Sequence, residues 1–124
     1  MNTVKIAVIQ IRTELEQDVT LEKAGRMVRE AAENGAQIAV LPEMFNCPYS
    51  RRYFRPIAHL GHEKTVAAMS QWARDNSVLL VGGSIPETEG ENIYTTCFVC
   101  DEQGRQIARH RTVHLFDVDI PGMR

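Results

Sequence analysis

Short apolar blocks recur along the chain at Val4–Ile9, Ile38–Leu41 and Val78–Val81, and Ile93–Cys100 alternates in strand fashion. Each is too short for a stable helix and suits a strand. Val4–Ile9 is broken only by Lys5, which predicts a central strand buried on both faces. After Val19 the period lengthens. Leu21, Ala24, Val28, Ala31 and Ala32 fall on one face of a helix. Asp18 or Thr20 can cap its start, and Gly35 suits a left-handed stop. Strand, helix and strand in about 40 residues make a βαβ unit, so these strands are predicted to run parallel. Gly61–Asn76 predicts a second helix. Val66, Met69 and Ala73 form its inner stripe, and Glu63 and Arg74 complement its dipole. Trp72 beside that stripe reads as core rather than as a ligand platform.

Gly82-Gly83 ends the third strand, either for a tight bend or for close approach of a substrate to the backbone. Pro86–Asn92 reads as a polar turn, Asp101–Gly104 as a hairpin turn, and Gln106–Leu115 as the return strand. Ser50 is placed to cap a short helix through Arg55. The basic, aromatic segment from Arg51 to Arg55 reads as a solvated surface turn. Asp117–Gly122 is an irregular exit. The fold class that follows is α/β: a mixed sheet with helices on one face, in one domain spanning 1–124. What covers the other face is not evident in the sequence.

The stretch from Ile38 to Ser50 organises the chemistry. Pro42 cannot donate a ladder hydrogen bond, so pairing is expected to stop there. Glu43 then stands just past the strand's end beside Met44 and Phe45. Apolar walls would raise its carboxyl toward the range of a general base. The plainer reading is a solvated loop acid or a helix cap.

Composition narrows the partners. Lys and Arg number 14 against 16 Asp and Glu, a net charge of −2 that gives no electrostatic case for nucleic acid or an anionic membrane. No apolar run approaches the roughly 20 residues that span a bilayer. The N-terminal sequence lacks the basic region and cleavage site of a signal peptide. The three cysteines are an odd number and suggest no disulfide framework, so a cytoplasmic setting is expected.

Cys97-x-x-Cys100 followed by His110-x-x-x-His114 has the residue types of a zinc site. The gap between Cys100 and His110 is too short for the usual finger, and on a strand the two cysteines would face opposite sides. No metal is expected. Cys47, four residues after Glu43, has no His or Lys nearby to lower its pKa and reads as a packing residue.

Four segments occur in a telling order: Val4-Lys5-Ile6-Ala7-Val8-Ile9-Gln10, Leu41-Pro42-Glu43-Met44-Phe45, Val81-Gly82-Gly83-Ser84-Ile85-Pro86 and His110-Arg111-Thr112-Val113-His114-Leu115-Phe116-Asp117. Together they resemble the nitrilase superfamily of carbon–nitrogen hydrolases, in particular its omega-amidase-like branch. The resemblance covers this whole chain and about the first half of a family domain. It implies part of an α-β-β-α sandwich, a small amide substrate, no cofactor and a Glu-Lys-Cys triad. The thiolate would form an acyl-enzyme, Glu would act as base and acid, and Lys would stabilise the oxyanion. Position by position, Glu43 matches the base and Thr112 stands where the family has its lysine. Thr95 stands where an Asn usually follows the Tyr at position 94. The family's nucleophile falls beyond Arg124, and none of Cys47, Cys97 and Cys100 matches it. The resemblance therefore implies that the 124-residue chain alone is inactive. The alternative is a non-catalytic α/β remnant or assembly module. In either case the uncovered sheet face is expected to drive self-association.

Overall fold

The helices between the first three strands dictate parallel pairing, and the structure has it. In chain order the elements are β1 (Ile6–Val8), α1 (Gln17–Glu33), β2 (Ile38–Val40), α2 (Glu63–Asn76), β3 (Leu79–Val81), β4 (Ile85–Glu89), β5 (Asn92–Cys100) and β6 (Gln106–Arg111). This is a computed structural model describing residues 3–47, 56–58, 62–89 and 92–112. The readings for Ser50–Arg55 and for residues after 112, including His114, lie outside the described residues.

Ile6 sits opposite Ile38, and Ile38 opposite Leu79, in parallel register. β5 runs antiparallel. Its C-terminal end pairs with β3, its N-terminal end with β4, and its other edge with β6. So β3 and β4 lie end to end along one edge of β5, interrupted at Gly82–Ser84. This is the mixed sheet that the sequence predicts.

α1 and α2 cover one face. Ala24 and Val28 of α1 and Met69 and Ala73 of α2 pack on Ala39, Leu80 and Phe98, all at most 1% exposed. The helices meet where Trp72 crosses Gly25. A Cβ there would stand 2.6 Å from the indole nitrogen, so the small residue sets the spacing. Trp72 thus has the packing role expected of it. Gly35 (φ +91°) ends α1 in the left-handed conformation, again as expected. The start of α1 differs. No side chain caps it, and the buried Thr20 hydroxyl instead accepts the Glu14 N–H at 2.9 Å.

Two expectations are corrected. β1 is an edge strand rather than a central one, with Ile6 and Val8 exposed at 55% and 76%. They align with the half-buried Ile38, Val40, Leu79 and Val81 across the sheet's second face. An apolar run of this kind needs cover on both sides, and the described helices supply one. Pro86–Asn92 is not simply a polar turn, because residues 85–89 form β4. Pro86 is tolerated on an edge strand, and Glu87 reads as polar yet is buried.

Glu87 is only 4% exposed and gathers four partners. Its Oε1 accepts from Thr96 Oγ1 and Arg111 Nε, each at 3.1 Å, and from Arg111 Nη2. Its Oε2 faces His62 Nδ1 at 3.3 Å and Arg109 Nη1 at 3.9 Å. His62 in turn stacks on Phe98, 5.4 Å between ring centroids. One carboxylate thus ties the start of α2 to β4, β5 and β6. Among the described residues, no helix is long and apolar enough to cross a membrane.

Burial pushes the Glu87 carboxyl up, but the bonds from Arg111 and Thr96 and the charges of Arg109 and Arg111 outweigh it and hold it below the ordinary range. A depressed folded-state value contributes stability that is present above the unfolded carboxylate range, near pH about 4, and is lost as pH falls through the folded value. Glu87→Gln should therefore flatten the loss of stability on acidification below about pH 5, measured by denaturant midpoints across pH. A slope matching the parent's would contradict the assignment. Gly83 gives a second expectation. At φ +52° its added Cβ would lie 1.9 Å from the Pro42 carbonyl oxygen, so the glycine pair serves close approach of the chain to itself. Gly83→Ala should cost about 2–3 kcal/mol in urea unfolding, and a loss below about 0.5 kcal/mol would count against that packing.

Candidate active site

β2 ends where the Leu41 N–H makes its last ladder bond, to the Val81 carbonyl at 2.8 Å. The chain then turns sharply through residues 42–47. Met44 takes φ +55°, a left-handed conformation costing a side-chain-bearing residue roughly 1–2 kcal/mol. Ser84 holds this turn from the β3–β4 break. Its Oγ accepts the Met44 N–H at 3.0 Å and its carbonyl accepts the Phe45 N–H at 3.3 Å. On the other side the buried Asn46 donates from Nδ2 to Thr65 Oγ1 of α2 at 3.2 Å. Met44 and Phe45 are thereby driven into the interior, and Glu43 between Pro42 and Met44 is left facing outward.

Glu43 borders a cavity of about 270 Å³ whose other walls are Gly83, Ser84, Cys97, His110 and Thr112. Cys97 and His110 are direct cross-strand partners on β5 and β6. Thr112 follows β6 immediately. Its N–H donates to the Thr95 carbonyl at 2.8 Å, and the Thr95 and Thr112 hydroxyls bond to each other at the same distance. The cavity lies on the sheet face opposite α1 and α2, whereas Glu87 lies on the helix side. A larger groove of about 540 Å³ runs along α1, lined by Arg12, Lys23, Arg26 and Met27 among others. Lys23 there is committed to Glu14, and the groove reads as a solvated helix surface.

Glu43 and Thr112, chosen from sequence, thus share one cavity. The surroundings of Glu43 differ from expectation. Its neighbours Met44 and Phe45 do not wall it, because the left-handed residue turns them away. The residue is exposed among polar groups. The hold of Ser84 on this turn leaves no mark in the sequence beyond its place in the segment from Val81 to Pro86. His110 and Cys97 also border the cavity, as direct cross-strand neighbours. Cys97 faces the cavity and Cys100 is fully buried toward the helices, so the two do not converge. Among the described residues, no three of His, Cys, Asp and Glu are grouped to hold a metal ion.

The thiols are poor nucleophiles as they stand. Burial pushes Cys47 up to about 12. It also raises Cys97, partly offset by a bond involving the Gly82 backbone, and it raises Cys100, with the Asp101 charge adding to the effect. Thiol reactivity depends on the thiolate, which all three environments disfavour. The cavity therefore presents a carboxylate, two hydroxyls, a thiol and an imidazole.

The mouse protein "Omega-amidase NIT2" is 40% identical over 122 residues, covering 98% of this chain and 44% of that protein. A Schizosaccharomyces pombe protein, "Hydrolase C26A3.11", is 42% identical over 120 residues, covering 95% of this chain and 37% of its own length. Saccharomyces cerevisiae Nit3, described as a member of branch 10 of the nitrilase superfamily, superposes with a TM-score of 0.81 at 31% identity. That match covers 90% of this chain and 44% of the yeast structure. The chain spans less than half the length of the curated relatives it matches. The profile described as "Carbon-nitrogen hydrolase" matches residues 5–124, nearly the whole sequence. The chain belongs to the carbon-nitrogen hydrolase family.

Proposed function

We propose that this chain carries the general-base part of a site that hydrolyses small, non-peptide amides. Glu43 is the base. In acyl transfer by covalent catalysis such a carboxylate takes the proton of the attacking group and returns it to the departing amine. The observation that carries the reading is that Glu43 and Thr112, far apart in sequence, border the same cavity. The amide class is favoured by relatives named as omega-amidases.

Thr112 occupies the position at which the family resemblance expects a lysine. A threonine hydroxyl can donate a hydrogen bond to a developing oxyanion but brings no charge. Loss of one such donor typically costs about a hundred- to a thousandfold in rate. The nucleophile is a further requirement, and the environments of Cys47, Cys97 and Cys100 do not favour that role. Residues 1–124 alone are therefore inactive in this reading. An odd number of cysteines, three, suits a reducing cytoplasm.

A second reading, that of an assembly module, draws on the open sheet face. Exposed Ile6 and Val8 continue an apolar surface across three strands. Such a surface favours association with another copy or with a longer relative.

Purified 1–124 should release no ammonia above background from omega-amides of dicarboxylic acids, and Thr112→Lys should leave that unchanged. Turnover at ordinary enzyme rates, about 1 per second or faster, would overturn the proposed inactivity. For the second reading, sedimentation velocity should show concentration-dependent association that Val8→Lys weakens. A protein monomeric at all concentrations would remove its support.

A further inference from the structure

We infer that Ser84 is the positioning residue for Glu43. This deepens the reading of Glu43 as base and rests on it. Glu43 occupies a turn whose next residue, Met44, is held at φ +55°. A residue with a side chain relaxes out of that region unless its surroundings forbid it. Ser84 supplies the constraint through two separate atoms, its hydroxyl oxygen on the Met44 N–H and its carbonyl on the Phe45 N–H. Met44 is 4% exposed, so its N–H has little recourse to water if that acceptor goes. Released, Met44 would turn toward ordinary helical or extended angles and carry the Glu43 Cα with it.

The chemistry also explains why a serine stands here. The site is 8% exposed, and a hydroxyl on a one-carbon stem reaches the Met44 N–H at 3.0 Å. Alanine has no side-chain acceptor to offer the Met44 N–H. Gly83 lets Ser84 reach the turn, since only a residue without Cβ can pass the Pro42 carbonyl so closely. Ser84 and Gly83 also border the cavity, so the support for the carboxylate forms part of the wall it faces. Thr65 holds the same turn through Asn46 from the opposite side but does not touch the Met44 amide.

The test is NMR on isotopically labelled 1–124, which needs no turnover. Ser84→Ala should speed exchange of the Met44 amide hydrogen about tenfold, the scale of one lost hydrogen bond. It should also shift the Glu43 side-chain carboxyl carbon signal while leaving that of exposed Glu63 unmoved. Ser84→Thr, which keeps the acceptor oxygen, should restore both. Asn46→Ala serves as the comparison, loosening the turn without touching the Met44 amide. The inference is overturned if Ser84→Ala leaves the Met44 exchange rate and the Glu43 signal unchanged. It is equally overturned if Asn46→Ala reproduces both effects, since Ser84 would then do no more than general packing. These spectra are independent of ammonia release, so their failure leaves the amidase reading standing, and failure of that reading leaves the spectra as they are.

Discussion

The fit of the β3–β4 break against the end of β2 is the constraint on which the rest depends. Two strand ends meet there with no spare volume. Gly83 passes the Leu41 and Pro42 carbonyls where a Cβ could not, and Ser84 then meets the turn with one hydroxyl and one carbonyl. The contact does three things together. It ends the parallel part of the sheet, separates β3 from β4 along the edge of β5, and sends Met44 and Phe45 inward so that Glu43 faces out. A change at this seam would be felt in the core and in the cavity alike.

The sheet divides its duties by face. Toward the helices, apolar packing is joined by one buried acid, Glu87, whose four partners come from α2, β5 and β6. The buried charge here is the carboxylate itself, and Arg111 and Arg109 keep part of their side chains in solvent, so the cluster acts as a tie among elements more than as net stabilisation. Toward the open face, Glu43, Cys97, His110 and Thr112 share a cavity beside an apolar surface. The alternation of side chains along β5 and β6 makes this separation possible: Phe98 and Cys100 go to the core while Cys97 goes to the cavity.

Two departures from the family pattern prove to be neighbours. Thr95 on β5 and Thr112, just past β6, bond hydroxyl to hydroxyl at 2.8 Å. A neutral, mutually satisfied pair occupies the place where the resemblance implies an amide beside a cation. The pair needs no counter-charge, and its effect on the cavity is electrostatic: Glu43 has no fixed lysine facing it from position 112.

Local pattern determined much of this protein. The period of Leu21, Ala24 and Val28 fixed α1, the stripe through Met69 and Ala73 fixed α2, and the βαβ order fixed parallel pairing, because these depend on spacing within one segment. Pro42 and Glu43 located the strand end, and the ordered motifs pointed to the family. Tertiary structure decided what spacing cannot carry. β4 reads as polar because a buried Glu87 has the same letter as a solvated one, and its partners, Thr96 of β5 and the arginines of β6, are brought to it only by folding. Val4–Ile9 looked central because apolar residues do not reveal how many layers will cover them. The exposure of Glu43 and the part played by Ser84 depend on a backbone angle at Met44 that long-range contacts impose. A residue's neighbours along the chain set its conformational preference, whereas its desolvation and partners are set by segments that only folding brings beside it.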